Sequence, residues 1–477
     1  MTLEALNLMP ILPEIILLTL ACAILLIDAF MRPGSRDTTY WLTQLSLALT
    51  FVAVLNGMSM DQRLSFDGSV INDGLSDLMK LAMILLTGMA FALARSYLKE
   101  RDIHKGEFYI LGLFGLLGMM IMVSSYSLLL IYLGLELMSL AMYAMVAIHR
   151  DDIRASEAAM KYFVLGALAS GLLLYGMSLL YGITGSLDIA VIRQAVLGGE
   201  IPKLALLMAM LFMLTGLVFK LGAAPFHMWL PDVYDGAPTA VTLYLAAAPK
   251  IAALALLLRL FGDGLAGLLP DWQMLMIVFA VASLFVGNVI AIAQTSFKRM
   301  LAYSTVSHVG FILLGVLSGT ADGFSAALFY TLAYGLMSLG GFGIITYLSS
   351  RGIEADQLDD LKGLNDRSPW MAFILLVLMF SMAGIPFTLG FWAKLAVLQA
   401  VVQIDLVWLA VYAVVMSVIG AFYYLRVLKM AYFDKPVVMG MPSRTFDMRW
   451  VLNGTGIAVL VLGLYPAGLV ALCAQVF

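Results

Sequence analysis

The chain has 477 residues, of which 62% are hydrophobic and only 12% charged, and its mean hydropathy is +0.99. Soluble domains carry about 25% charged residues, so the composition excludes a soluble enzyme and points to a polytopic membrane protein. A net charge of −3 leaves no basic footprint for nucleic acid. The two cysteines, Cys22 and Cys473, sit in apolar runs with no Cys or His at ligand spacing, so they are expected to pack in the core, and zinc or iron–sulfur chemistry is not expected. The first apolar run lacks a basic leader and a small-residue cleavage site, so no cleavable signal is expected.

A bilayer-spanning helix needs about 20 mostly apolar residues. That window gives about fourteen spans, at 10–31, 38–58, 74–95, 108–124, 127–148, 156–181, 203–222, 238–262, 272–295, 301–318, 322–349, 370–396, 404–430 and 450–473. The loops between them are too short for a soluble domain. The expected fold is a single all-α membrane domain.

With both termini on the non-cytoplasmic side, the cytoplasmic loops hold Arg32, Arg36, Arg95, Lys99, Arg101, Lys105, Arg150, Arg154, Lys298, Arg299, Arg351, Lys362, Arg367, Arg426, Lys429, Lys435, Arg444 and Arg449. The opposite side holds Arg63, Arg193, Lys203 and Arg259. Eighteen against four satisfies the positive-inside rule and supports this orientation in a bacterial inner membrane. The basic residues left for the spans are Lys80, Lys161, Lys220, Lys250 and Lys394, all lysine. Lysine can release its proton when buried, whereas arginine stays charged, so this choice suits proton transfer better than anchoring.

Acidic counterparts are Glu14 and Asp28 in the first span, Asp77 and Glu157 at span entrances, and Glu136 in the middle of the fifth. Glu136 is the expected partner of a buried lysine, since opposite charges at about 4 Å keep each other ionised. Lys161 follows Glu157 at i+4 and Lys80 follows Asp77 at i+3, spacings that also fit ordinary helix ion pairs. Lys80 is close enough to a span end to snorkel. For every one of these groups a satisfied ion pair that holds helices together is the alternative reading.

The seventh span ends in Lys220-Leu-Gly-Ala-Ala-Pro225-Phe-His227-Met-Trp229, and the eighth carries Ala248-Pro249-Lys250. Proline removes a backbone donor, which a bilayer tolerates only where protein or water meets the freed carbonyl. An echo, Ile385-Pro-Phe-Thr-Leu-Gly-Phe-Trp392, lies in the twelfth span beside Lys394. Five spans separate the two, so they run in opposite directions, as broken helices do in inverted-repeat transporters. His227 stands in the break, where it can relay protons or fix the bend. His308 follows Tyr303-Ser-Thr-Val-Ser and is expected at a helix start, capping or bracing it. His104 and His149 are expected in solvated loops.

Two long motifs, Phe219-Lys220-Leu-Gly-Ala-Ala-Pro-Phe-His227-Met-Trp-Leu-Pro-Asp232-Val-Tyr-Asp-Gly-Ala-Pro238-Thr and Gln294-Thr-Ser-Phe-Lys298-Arg299-Met-Leu-Ala-Tyr303-Ser304-Thr-Val-Ser307-His308-Val-Gly310, resemble those of a known family. It is that of the antiporter-like proton-channel subunits shared by respiratory complex I, Mrp-type cation/proton antiporters and membrane-bound hydrogenases. The resemblance implies fourteen helices with discontinuous seventh and twelfth members. It also implies two inverted five-helix repeats, at 108–262 and 272–430. By position, Glu136 and Lys220 correspond to the family's fifth-helix glutamate and seventh-helix lysine, Lys250 to the eighth-helix lysine, and Lys394 to the exit residue. His227 and Lys161 complete the expected proton-translocating set.

The chain ends soon after the last span, carries lysine at 394 where the middle complex I member has glutamate, and opens on Leu12-Pro-Glu14. These features resemble the smallest antiporter-like subunit of a bacterial proton-pumping NADH:quinone oxidoreductase. The resemblance then implies no cofactor in this chain, with FMN, iron–sulfur clusters and quinone in partner subunits and a second antiporter-like subunit as neighbour. A subunit of an Mrp-type sodium/proton antiporter or of a membrane-bound hydrogenase is the alternative.

Overall fold

The computed structural model describes residues 7–32, 36–199, 201–436 and 444–477. Its helices, in chain order, are α1 (Leu12–Phe30), α2 (Arg36–Gly57), α3 (Gly74–Glu100), α4 (Gly106–Ser124), α5 (Leu128–Val146), α6 (Ile153–Thr184), α7 (Ile189–Gly198), α8 (Lys203–Leu221), α9 (Trp229–Gly236) and α10 (Thr239–Leu257). They continue with α11 (Leu269–Ile292), α12 (Phe297–Val316), α13 (Ala321–Leu348), α14 (Leu364–Arg367), α15 (Pro369–Ala383), α16 (Leu389–Gln403), α17 (Val407–Phe433), α18 (Phe446–Leu464) and α19 (Ala467–Gln475). One hairpin, β1 (Arg63–Ser65) with β2 (Val70–Asn72), is antiparallel and lies between α2 and α3.

Among the described residues, thirteen helices are long and apolar enough to cross a membrane. A further crossing is made by the shorter apolar pair α15 and α16, giving the fourteen-span architecture with discontinuous seventh (α8, α9) and twelfth (α15, α16) members. Polar side chains fix where several helices begin: Asp73 and Ser76 form a capping box on α3, and Asp152, Ser296 and Ser368 accept first-turn amides of α6, α12 and α15. These caps satisfy donors that lipid cannot. The helix α10 stands at the centre, with 94% of its apolar window buried by the protein, against 33% for the windows of α1 and α18. Hydrophobicity all round is what such a central helix requires.

Close helix approach depends on glycine. A Cβ on Gly118 of α4 would lie 2.5 Å from the Met138 nitrogen of α5, and one on Gly287 of α11 would lie 2.5 Å from the Ser307 nitrogen of α12. Small residues let backbones touch where lipid gives no hydrophobic drive to associate.

The two breaks share one backbone design. Gly222 ends α8 at φ 82° and Gly384 ends α15 at φ 84°. Each glycine amide, with the amide that follows it, bonds back to the final carbonyls of its half-helix, the pairing that stops a helix at a left-handed residue. The lysines do not repeat with the backbone, since Lys220 precedes its break and Lys394 follows its own. Inverted five-helix repeats thus share a scaffold but place charge differently.

Several expectations are corrected. The last span closes at Leu464 and a separate α19 follows, because Pro466 cannot donate to a continuing helix. Arginine does occur within a span: Arg259, in the π-helical end of the eighth, is 6% exposed and pairs with Asp73 at 2.7 Å. Lys80 does not snorkel. It is fully buried and pairs with Glu14 Oε1 at 2.8 Å rather than with Asp77. Asp28 instead pairs with Arg36 at 2.5 Å. Cys22 and Cys473 are both free, the first exposed and the second buried.

Replacing Gly118 by Leu forces α4 off α5 and is expected to destabilise the fold by more than the roughly 1–3 kcal/mol typical of overpacking. The check is the amount of this chain recovered in the assembled, membrane-inserted state, which should fall strongly while Gly454→Leu, where no atom lies within 4 Å of a Cβ, leaves it unchanged.

Candidate functional site

The break between α8 and α9 is held open by specific contacts. Trp229 donates from Nε1 to the Phe219 carbonyl at 2.9 Å and stacks on Tyr162 with ring centroids 4.7 Å apart. Ser283 of α11 accepts the Ala224 amide at 2.9 Å. The short α9 is tied on both sides, because Asp232 accepts from Lys161 of α6 at 3.0 Å and from Arg299 of α12 at 2.9 Å. Lys161 also bonds Glu157 at 2.9 Å, so its ordinary i+4 pair extends into a tether for the broken helix.

Lys220 lies at the last turn of α8. Its Nζ donates to Ser139 Oγ at 2.8 Å and to Tyr143 Oη at 3.5 Å, both on α5. Ser139 Oγ in turn donates a hydrogen bond to the Leu135 carbonyl at 2.7 Å. Glu136 does not form the expected direct ion pair: no carboxylate lies within 4.0 Å of the Lys220 ammonium among the described residues. Its Oε1 is buried without a hydrogen-bond partner. Residues 136, 139 and 143 recur at i, i+3 and i+7, one face of α5, so Ser139 stands between the glutamate and the tyrosine on the strip that Lys220 faces.

Lys250 is 2% exposed, and its Nζ lies 5.4 Å from the Trp229 ring centre, within cation–π range. A Cβ added to Gly222 would sit 3.7 Å from that Nζ, so the ammonium stands at the open end of α8. Lys394 holds the matching place at the second break. Its Nζ donates to the carbonyls of Met382 at 3.2 Å and Ala383 at 2.8 Å, and to Ser417 Oγ at 2.9 Å. A cation at a helix C-terminus is favoured by the exposed carbonyls and the dipole. Like Lys220, neither Lys250 nor Lys394 has a carboxylate within 4.0 Å among the described residues.

His227 sits in the first break with Nδ1 buried and unpartnered, its ring 6.3 Å from that of Tyr303. His308 is not at a helix start. It is the twelfth residue of α12 and is buried mid-span between Tyr330 Oη at 2.8 Å and Tyr424 Oη at 3.1 Å. It therefore braces α12 against α13 and α17, and Phe311, one turn further, lies 5.1 Å beneath the Lys394 ammonium. The tyrosines were unreadable in sequence because they come from helices distant along the chain.

Away from the breaks, a polar cavity of about 440 Å³ opens around the start of α10. Glu354 there accepts from Tyr97 at 3.0 Å, from Arg101 at 2.5 Å and from Thr239. Lys298, counted among loop residues by sequence, is 3% exposed and donates to the Ala237 carbonyl at 2.5 Å. Of the loop histidines, His149 is partly exposed as expected. His104 is half-buried, bonds Tyr109 at 3.2 Å, and burial pushes its pKa down to about 4.

Residues 125–420 match the family model described as the NADH:quinone oxidoreductase/Mrp antiporter transmembrane region. The chain is 57% identical over 473 residues to NADH-quinone oxidoreductase subunit N of Thioalkalivibrio sulfidiphilus, covering 99% of this chain and 98% of that one. It superposes with a TM-score of 0.84 and 32% identity on a chain of respiratory complex I from Thermus thermophilus, covering 97% of this chain and 100% of that one. A chain of the Mrp complex of a Dietzia species matches with a TM-score of 0.84 at 22% identity, over 100% of this chain and 97% of that one, a likeness of fold. The chain belongs to the antiporter-like membrane subunits of the NADH:quinone oxidoreductase/Mrp family. Within that family it is of the subunit N type.

Asp232→Asn removes the charge shared by Lys161 and Arg299. As these side chains are 32–44% exposed, the expected loss of stability is about 1 kcal/mol or less, seen as a small drop in the thermal aggregation temperature of the solubilised complex.

Proposed function

We propose that this chain translocates protons as a subunit of a bacterial NADH:quinone oxidoreductase, through a midplane series running from Glu136 and Lys220 to Lys250 and on to Lys394. The observation that supports it best is the set of three lysines at helix breaks, each held by hydroxyls, carbonyls or a ring and by no carboxylate within 4.0 Å among the described residues. Paired ions fix structure. Unpaired ones that contact only neutral groups can change charge without leaving a partner stranded.

In this reading a change of charge in a neighbouring subunit acts on Glu136. Ser139, within reach of Lys220, couples the glutamate to the ammonium, which passes a proton sideways toward Lys250. His308, between two phenols, stands on the side of Lys394. Lys220 is replenished from the positively charged, cytoplasmic face, where the cavity around Tyr97, Lys298 and Glu354 reaches the start of α10. His227 relays or gates at the break, and Lys161 keeps α9 in place.

The scaffold is two inverted repeats, 108–262 and 272–430. The chain spans the bacterial inner membrane with both termini outside, beside a second antiporter-like subunit. It contributes no redox centre and no NADH site, the FMN, iron–sulfur clusters and quinone belonging to partner subunits. Identity of 57% to a subunit N against 22% to an Mrp chain favours this assignment over the Mrp alternative.

The test is NADH-driven, quinone-dependent acidification of inverted membrane vesicles, with assembled complex quantified in parallel. Lys220→Ala is expected to lower turnover and acidification together by about tenfold or more, the scale of losing a positioned proton-transfer group. Unchanged activity in an assembled Lys220→Ala complex would refute the path. Ser139→Ala, which leaves Lys220 with Tyr143 alone, is expected to lower both rates by a smaller factor of about 2–5.

A further inference from the structure

The polar cavity at the start of α10 carries more charge than proton uptake requires. Among the described residues, six carboxylates line it against three arginines and one lysine, an acidic surplus that concentrates every small cation and not protons alone. Most of the carboxylates are already engaged. Glu354 accepts from Arg101 at 2.5 Å, Asp102 pairs with Arg351 at 3.5 Å, Glu100 pairs with Arg444, and Asp235 accepts from Ser296 at 3.0 Å. Lys298 is left out of this pairing: no carboxylate lies within 4.0 Å of its ammonium among the described residues.

Lys298 also lies at the inner end of the cavity. It is 3% exposed, whereas the Arg351 side chain at the rim is 82% exposed. Its ammonium donates at 2.5 Å to the carbonyl of Ala237, the residue that closes α9, a bond that engages one of three N–H groups. Beyond it the junction of α9 and α10 carries hydroxyls inward. Thr239 and Thr242 are fully buried, and Thr242 donates to the Tyr234 carbonyl at 2.9 Å. The Tyr234 ring lies 6.3 Å from that of Trp229, over which the Lys250 ammonium stands. A cation moving from the cavity to Lys250 along this junction passes the Lys298 ammonium at the entrance.

We propose that Lys298 is the ion filter of the proton path, admitting protons and turning back sodium and potassium. The inference rests on the proton-translocating reading above. A positive charge held at the entrance raises the energy of any metal cation there. A proton is exempt, because the lysine itself carries it. The ammonium gives one N–H proton to a water or hydroxyl on the inner side, and the neutral amine then takes a proton from cavity water. Sodium has no such exchange. Arginine would repel metal cations equally but would not release its proton.

The experiment uses the intact complex in proteoliposomes, where added NADH drives only the copies whose cytoplasmic face is outward. Turnover and internal acidification are compared in sodium chloride and in choline chloride of equal ionic strength. The native complex is expected to behave alike in both. In Lys298→Gln sodium enters the mouth and competes with protons, so the remaining turnover should fall about tenfold or more when sodium replaces choline, the scale on which a cleft's charge sets local ion concentration. Lys298→Arg keeps the repulsion and loses the exchange, so it should be slow by about tenfold in both salts alike. Turnover in Lys298→Gln that ignores sodium overturns the filter, because a merely structural loss would be equal in the two salts. Full turnover in Lys298→Arg overturns it as well, and decides alone should Lys298→Gln fail to assemble. Lys220→Ala in the same vesicles separates the two readings: if it abolishes acidification while Lys298→Gln ignores sodium, the path stands and the filter falls.

Discussion

Lipid offers no hydrogen bonds, and this constraint organises the molecule. A helix that stops in the bilayer leaves carbonyls that something must meet. At Gly222 and Gly384 the left-handed turn satisfies part of the demand through its own amides. The remainder falls to side chains: the Trp229 indole at the Phe219 carbonyl, and the Lys394 ammonium at the Met382 and Ala383 carbonyls. The breaks therefore create the polar sites and draw the lysines to them.

The ionisable side chains divide into two populations. Glu14 with Lys80, Asp73 with Arg259, and Asp232 with Lys161 and Arg299 are paired at 2.7–3.0 Å, and they tie α1 to α3, the end of the eighth span to the start of α3, and α9 to its neighbours. Lys220, Lys250 and Lys394 bond neutral groups or rest over rings. A charge locked to its counter-ion is poorly placed to exchange a proton, because the partner would be left buried and alone. The unpaired population sits along the two breaks.

The duplicated backbone is not a duplicated site. The glycine turns match, yet the first break receives its inner lysine from α10 and the second from α16, after its own turn. Repetition of the scaffold gives two polar openings of similar form. Their lysines nevertheless come from different helices, α10 at the first break and α16 at the second.

The apolar windows, the biased loop charges and the Pro-Phe echo were enough to read the membrane class, the span count and the two discontinuous helices, since each reflects a local requirement of a chain in lipid. The same residues named Lys220, Lys250 and Lys394, because a charge in an apolar run is conspicuous wherever it points. Partnership was another matter. Glu136 and Lys220 are suited to each other in charge, yet Ser139 takes the contact. Lys80 chose Glu14 over the nearer Asp77, Lys298 turned out to be interior, and His308 found its tyrosines on α13 and α17. Those outcomes depend on how helices far apart in the chain are rotated and packed, which the periodicity of any one helix does not contain.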